Sequence, residues 1–287
     1  MVDTELQEQI NQTLSGFMSN AEVRLRDKLS ALLPALDLLE KRIAPRADDA
    51  TVRYIGDVRK AAFGILRAAG NMGDYARYVR NYSQSEPSRI NLSELVTTML
   101  REVSALALHK EITFSLECRE LPFYAVADKG QIEKLLYHLL SNAVLYGEKN
   151  VTVELKRSDG HVILTVTNTG GVIEGETLAV LYTGYSKFID VKAGKLGLGL
   201  PIALAIACQN GGTMAVTSDV KNGTSVTVSL PDLLTGEEPL EMENAFFSED
   251  GGYLKTLVAM SDFPGNSKIY SKLNDKDEGG KCTISTQ

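Results

Sequence analysis

The chain has 287 residues, 44% of them hydrophobic and 23% charged, which is globular make-up with room for one large domain or two ordinary ones. The net charge of −7 comes with no strongly basic stretch, so no nucleic-acid partner is expected. Three scattered cysteines (Cys118, Cys208, Cys282) argue against a disulfide framework or a cysteine-rich zinc site. No apolar run reaches the ~18 residues that cross a bilayer. The start, MVDTELQEQ, is too polar for a signal peptide, so the protein is read as cytoplasmic with no membrane span.

From about 4 to 43, apolar residues recur at steps of three or four, from Leu6 and Ile10 through Phe17, Leu25 and Leu32 to Leu39 and Ile43. That period predicts one long helix with an apolar stripe, kinked at Pro34 and broken at Pro45. A second helix is predicted over about 50–83, with Ile55, Val58, Ala62, Ile65, Ala69, Met72 and Tyr75 inward. A lone hairpin of two such helices leaves apolar surface bare. Pairing of residues 4–83 into a homodimeric four-helix bundle is the expected remedy, an intramolecular bundle the alternative.

Residues 83–88, Ser-Gln-Ser-Glu-Pro-Ser, read as a linker. Asn91 with Glu94 three residues on then reads as a helix cap. Beyond it the predicted order is helix 92–109, strands 111–117 and 123–127, helix 129–146, and strands 150–157 and 161–168. A loop-rich stretch, a helix over 197–210 and strands 213–219 and 224–230 follow. Ser158-Asp159-Gly160 marks a hairpin turn. The fold class is α+β: a two-helix hairpin followed by an α/β sandwich. Domain boundaries fall at 1–88, 89–231 and 232–287. The last stretch carries 11 acidic and 5 basic residues and reads as an acidic tail with one hairpin or strand over Tyr253–Met260 and no assignable role.

Gly197-Leu198-Gly199-Leu200 opens a helix, and helix starts with glycines offer bare N–H groups to phosphate. It is preceded by Asn142, in Leu139-Leu140-Ser141-Asn142-Ala143, and by Asn168-Thr169-Gly170-Gly171 at a strand end. Gly223-Thr224 opens the last strand. In order and spacing, Asn91 to Pro231 resembles the ATP-binding domain of sensor histidine kinases, in the wider ATPase group that includes gyrase and Hsp90. The resemblance implies the cofactors ATP and Mg²⁺. Asn142 would hold the Mg²⁺ that bridges the phosphates, and an amide oxygen suits that hard ion. Tyr146 would stack on adenine, core packing being the alternative. Asn168 stands where the family has an aspartate facing the adenine amino group, and without charge its bond is weaker. Gly170 would let the backbone approach the base, and the Thr224 hydroxyl would support the pocket. Gly197, Leu198, Gly199 and Leu200 would bring amides to the phosphates. Tyr182 to Lys187 resembles a lid, in which Lys187, Lys192 and Lys195 would either meet phosphate or stay solvated. The family's usual pattern also has another asparagine at His138 and a basic residue at Leu145.

The first helix resembles the family's dimerisation module. Phe17 to Leu29 tracks the phosphoacceptor box and keeps Leu25-Arg26. Val23 stands at the histidine, Arg24 at the neighbouring acid and Lys28 at the proline. Valine has no nucleophilic atom and arginine stays protonated, so both reacting parts are missing. His109, His138 and His161 all lie outside this hairpin. Two readings stay open. One is an enzyme of two-component signalling that binds ATP and transfers or hydrolyses it. The other is a pseudokinase that dimerises and regulates a response regulator or another kinase, with ATP as a conformational ligand.

Overall fold

In the computed structural model the described residues are 2–79, 85–107, 112–118, 122–173, 197–232, 255–262, 267–271 and 285–286. The chain divides into two compact units, residues 1–76 with 245–281, and residues 77–244 with 282–287.

The first unit is the helical hairpin. Helix α1 (Val2–Ile43) runs through Pro34 as one helix. A short 3₁₀ turn at Ala44–Arg46 carries Pro45, and α2 (Asp49–Val79) returns. Asp48 caps α2 by accepting the Thr51 N–H at 2.8 Å, and its bonds to Thr51 hold its carboxyl below the usual carboxylate range. The apolar stripes divide between two faces. Leu29, Leu33 and Leu36 of α1 and Ile55, Ala62 and Ala69 of α2 are buried. Phe17, Leu32, Leu39, Val58 and Ile65 stay 46–67% exposed. Val58 and Ile65, read from the sequence as inward, therefore face away from α1.

The strand expected over Tyr253–Met260 is instead a helix, α6 (Lys255–Ala259). Its burial repeats at helical steps: Thr256 and Met260, four apart, are both buried. With a 3₁₀ turn at Ser267–Tyr270 it packs on the hairpin. There Leu257, Val258 and Ile269 meet Leu29, Leu33, Ala62 and Phe63.

Apart from two strands that were not expected, at its start and its end, the second unit follows the expected order. Its elements are β1 (Ser88–Asn91), α3 (Leu92–Leu106), β2 (Thr113–Cys118), β3 (Tyr124–Ala127), α4 (Lys129–Tyr146), β4 (Gly147–Ser158) and β5 (His161–Gly170). After these come α5 (Gly199–Gln209), β6 (Thr213–Asp219), β7 (Gly223–Pro231) and a two-residue β8 (Ser285–Thr286). Asn91 caps α3 as expected, its Oδ1 accepting the Glu94 N–H at 3.3 Å. The six-stranded sheet has the order β6-β7-β5-β4-β2-β8. Strands β6, β7, β5 and β4 pair antiparallel, and β2 joins β4 in parallel. Strand β1 begins at Ser88, the last of the residues read as a linker, and pairs antiparallel with β3.

Alternation decides which sheet face is covered. Val151, Val153 and Leu155 of β4, Val162, Leu164 and Val166 of β5, and Val228 and Leu230 of β7 are buried with the apolar faces of α4 and α5. The intervening residues carry hydroxyls that bond across strands, as Ser115 does to Thr152 at 2.9 Å. Helices α3, α4 and α5 thus share one side of the sheet in a two-layer α+β sandwich.

Candidate functional site

Helices α4 and α5 are locked together at one end by a buried asparagine. Asn210 follows α5 and is 7% exposed. Its Nδ2 donates to Gln131 Oε1 at 2.9 Å and to the Ile206 carbonyl at 2.8 Å, and its Oδ1 accepts the Asp128 N–H at 2.8 Å. Asp128 is the α4 cap, taking the Gln131 N–H at 3.0 Å. The start of α4 is thereby tied to the end of α5. Two helices joined this way bring the opposite ends together: the last turns of α4 meet the first turn of α5.

That meeting point holds the central candidates. A methyl group added at Gly199 would stand 3.3 Å from His138 Nδ1 and 3.7 and 3.8 Å from Asn142 Nδ2 and Oδ1. The α5 cap residue is Leu198, fully buried and making no side-chain cap. Pro201 has no N–H. The Gly199 and Leu200 N–H groups are therefore the natural free donors of this helix start. A helix start also carries about half a positive charge, which favours an anion. Gly197, just before it, is exposed. Among the described residues no group of three His, Cys, Asp or Glu could hold a metal. Mg²⁺ usually takes only one or two protein oxygens, the rest of its shell coming from phosphate and water, and the Asn142 Oδ1 is an oxygen that could serve as one of them.

The other half of the site is the end of β5. Asn168 is 5% exposed, and its Nδ2 is buried with no hydrogen-bond partner. An unpaired buried amide donor costs about 1–3 kcal/mol, which a ligand acceptor would relieve. Asn168 sits opposite Thr224 in the β5–β7 ladder. Thr224 is buried, donates to the Gly171 carbonyl at 3.0 Å and shares a 2.7 Å bond with Ser218. Ser218 also accepts the Ile173 N–H at 2.9 Å. The Gly171 N–H bonds the Tyr146 carbonyl at 3.0 Å. Thr224 thus holds the turn after β5, and that turn is stitched to the end of α4. Gly170 has φ +111°, and a methyl there would come 2.6 Å from Glu148 Cγ. Tyr146 is 52% exposed at the last residue of α4, so it is not a core residue.

The structure therefore brings together Asn142, Gly199 and Leu200 in one place, and Tyr146, Asn168, Gly170 and Thr224 beside the same end of α4. Lys187, Lys192 and Lys195 lie outside the described residues, as does His109. His161 lies on β5 at the hairpin turn, its Nδ1 2.9 Å from the Asp159 carbonyl. Reading the sequence missed Asn210, Gln131 and Ser218. The signal was there in part, since an asparagine before Gly211-Gly212 reads as the end of a helix and not as a link to another one.

Residues 127–234 match the family described as histidine kinase-, DNA gyrase B- and HSP90-like ATPase. The chain is 27% identical to the sensor protein DivL of Caulobacter vibrioides, over 75% of this chain and 28% of that one. It is 32% identical to the sensor histidine kinase ZraS of Salmonella typhi, over 50% of this chain and 30% of that one. The chain thus carries a histidine kinase-, DNA gyrase B- and HSP90-like ATPase match over residues 127–234 and is similar to sensor histidine kinases. Its backbone matches full-length ShkA in complex with AMPPNP with a TM-score of 0.60 at 20% identity, over 78% of this chain and 47% of that one. The histidine kinase AdeS of Acinetobacter baumannii gives 0.50 at 15% identity, over 65% and 86%. These two matches concern the fold alone. The chain spans about a quarter to a third of the length of the curated relatives above. Among its described residues no helix is long and apolar enough to cross a membrane.

Proposed function

We propose that this chain binds Mg²⁺-ATP as a histidine-kinase-like protein of two-component signalling and does not phosphorylate its own first helix. In this reading residues 1–88 form the dimerisation hairpin, 89–231 the ATP-binding domain and 232–287 a following segment. The observation that carries the nucleotide reading is the meeting of Asn142 with the side-chain-free start of α5 at Gly199. Asn142 would take the Mg²⁺. The Gly199 and Leu200 N–H groups would take phosphate oxygens, with Gly197 and Leu198 shaping the approach. The orphan amide of Asn168 would bond the adenine edge, and the exposed ring of Tyr146 would cover its face. The bound nucleotide would supply a transferable phosphoryl group. What the chain lacks is the acceptor. Val23 is 55% exposed on α1, so the position is accessible but has no nucleophile.

The exposed stripe of Phe17, Leu32, Leu39, Val58 and Ile65 supports pairing with a second copy through residues 4–83. A response regulator or another kinase is the partner class that the family implies, and a cytoplasmic setting fits it. Incubation of the protein with γ-labelled ATP is expected to leave no acid-labile phosphate on the chain. Val23→His combined with Arg24→Glu restores an imidazole and a carboxylate on adjacent residues, and labelling of this variant at residue 23 is the expected gain. Acid-labile label on the wild-type chain would overturn the reading and point to His109, His138 or His161.

A further inference from the structure

The contacts of residues 255–262 and 267–271 with the hairpin are built, polar and buried. Arg59 of α2 has 2% of its side chain exposed. It donates to Glu40 Oε2 at 2.6 Å, to Asp37 Oδ1 at 2.7 Å and to the Tyr270 carbonyl at 2.7 Å. Burial works against its charge, but the bonds to Glu40 and then Asp37 outweigh that and raise its pKa. Glu40 also accepts from Ser271 at 2.6 Å. Two turns along α2, Arg67 bonds the Ala259 carbonyl at 2.9 Å and pairs with Asp262. Between these arginines the Phe63 and Tyr270 rings pack at 6.1 Å, tilted 60°. The Tyr270 hydroxyl donates to the Met260 carbonyl at 3.1 Å, and burial pushes its pKa up to about 12. At Gly56 the backbone of Ser267 rests directly on α2, where a methyl would lie 1.8 Å from the Ser267 carbonyl oxygen.

These residues define one flank. Arg59, Phe63 and Arg67 follow at steps of four, and each step turns about 40° around a helix. Val58 and Ile65 of the exposed stripe lie on nearly the opposite side of α2 from Gly56 and Phe63. The flank is therefore separate from the face left for a second copy. On α1, Asp37 of this flank and Val23 are 14 residues apart, which places them about 40° apart around the helix and ~21 Å along it. The segment thus lies on the same side of the hairpin as the acceptor-like position.

We propose that this flank is a peptide-docking groove whose resident ligand is the chain's own segment, held through residues 255–262 and 267–271, so that another protein gains the flank only after the segment leaves. The groove recognises a carboxylate eight residues before an aromatic ring, through Arg67 and through Arg59 with Phe63. Reversibility follows from size. A five-residue helix does not hold its hydrogen bonds alone in water. The bonds of Met260 to Thr256 at 2.9 Å and of Ser261 to Val258 at 3.2 Å therefore depend on docking.

Two measurements on the full chain test the proposal. In hydrogen exchange, the Met260 and Ser261 amides are expected to exchange at least about tenfold faster in Gly56→Ala than in the wild type, while the hairpin amides keep their protection. The added methyl displaces the segment yet favours the helix, so loss of α2 is not the cause. Equal rates in the two proteins would overturn the docking. In the second measurement a synthetic peptide of residues 253–272 carrying a photocrosslinker is offered to the wild type and to Asp262→Ala/Tyr270→Ala. The hairpin of the double variant is expected to be labelled more strongly by about tenfold, because the wild-type segment competes from within the chain. Equal labelling, or no labelling of either hairpin, would show that the flank is not a peptide groove.

Discussion

Arg59→Ala is expected to destabilise the hairpin unit by about 3–5 kcal/mol, among the largest effects of any single substitution in this chain. The cause is what remains. Glu40, with 3% of its side chain exposed, and Asp37, with 22%, would both lose the Arg59 cation that they share. The Tyr270 carbonyl would lose its donor as well. A double change, Arg59→Met with Glu40→Met, removes both buried charges and replaces them with apolar side chains of similar length. It is expected to cost clearly less than Arg59→Ala alone, since burying a pair of charges yields little net stability while leaving one unpaired costs much. Urea unfolding followed by hairpin helicity measures both. Equal losses would mean that Arg59 acts through packing and not through its charge.

Gly223→Ala is expected to cost about 2–5 kcal/mol and to disable the site at the end of β5. Gly223 has φ +80°, and an added methyl would lie 2.0 Å from the Asn168 carbonyl oxygen and 3.0 Å from Thr169 Cα. Both obstacles are backbone, so no side-chain rotation relieves them. The strand would have to separate where Asn168 faces Thr224, which undoes the Thr224 bond to Gly171. Gly160 supplies the comparison. It has φ +73° but nothing within 4 Å of an added methyl. Gly160→Ala is therefore expected to show the backbone cost alone, about 1 kcal/mol, and thermal unfolding of the two variants separates strain from collision.

The sheet unit was legible because its signals are local. Alternation in Val151-Thr152-Val153 and Val162-Ile163-Leu164, the turn at Asp159-Gly160 and the cap at Asn91 each fix a few neighbouring residues. The Asn142, Asn168 and Gly199 boxes were legible as a set only through a family's order of motifs. Their meeting depends on Asn210 reaching Gln131, 79 residues away, and no local pattern contains that. Strand β1 was missed because the residues up to its first, Ser88, read as a linker, while its pairing partner β3 lies some 35 residues on. The segment after residue 255 was hidden for the same reason at greater distance. Arg59 looks in sequence like a solvated helix charge, and its partner Tyr270 is 211 residues away.

The central claim is that Asn142 and the start of α5 form a Mg²⁺-dependent nucleotide site, and calorimetric titration with ATP tests it most directly. Wild-type protein is expected to bind ATP with Mg²⁺ present and to lose much of that affinity when the metal is removed. Asn142→Ala is expected to bind with the same affinity whether or not Mg²⁺ is present, because the amide that holds the ion is gone. Wild-type protein that takes up no ATP at millimolar concentration, or an Asn142→Ala variant whose affinity still rises with Mg²⁺ as the wild type's does, would contradict the claim.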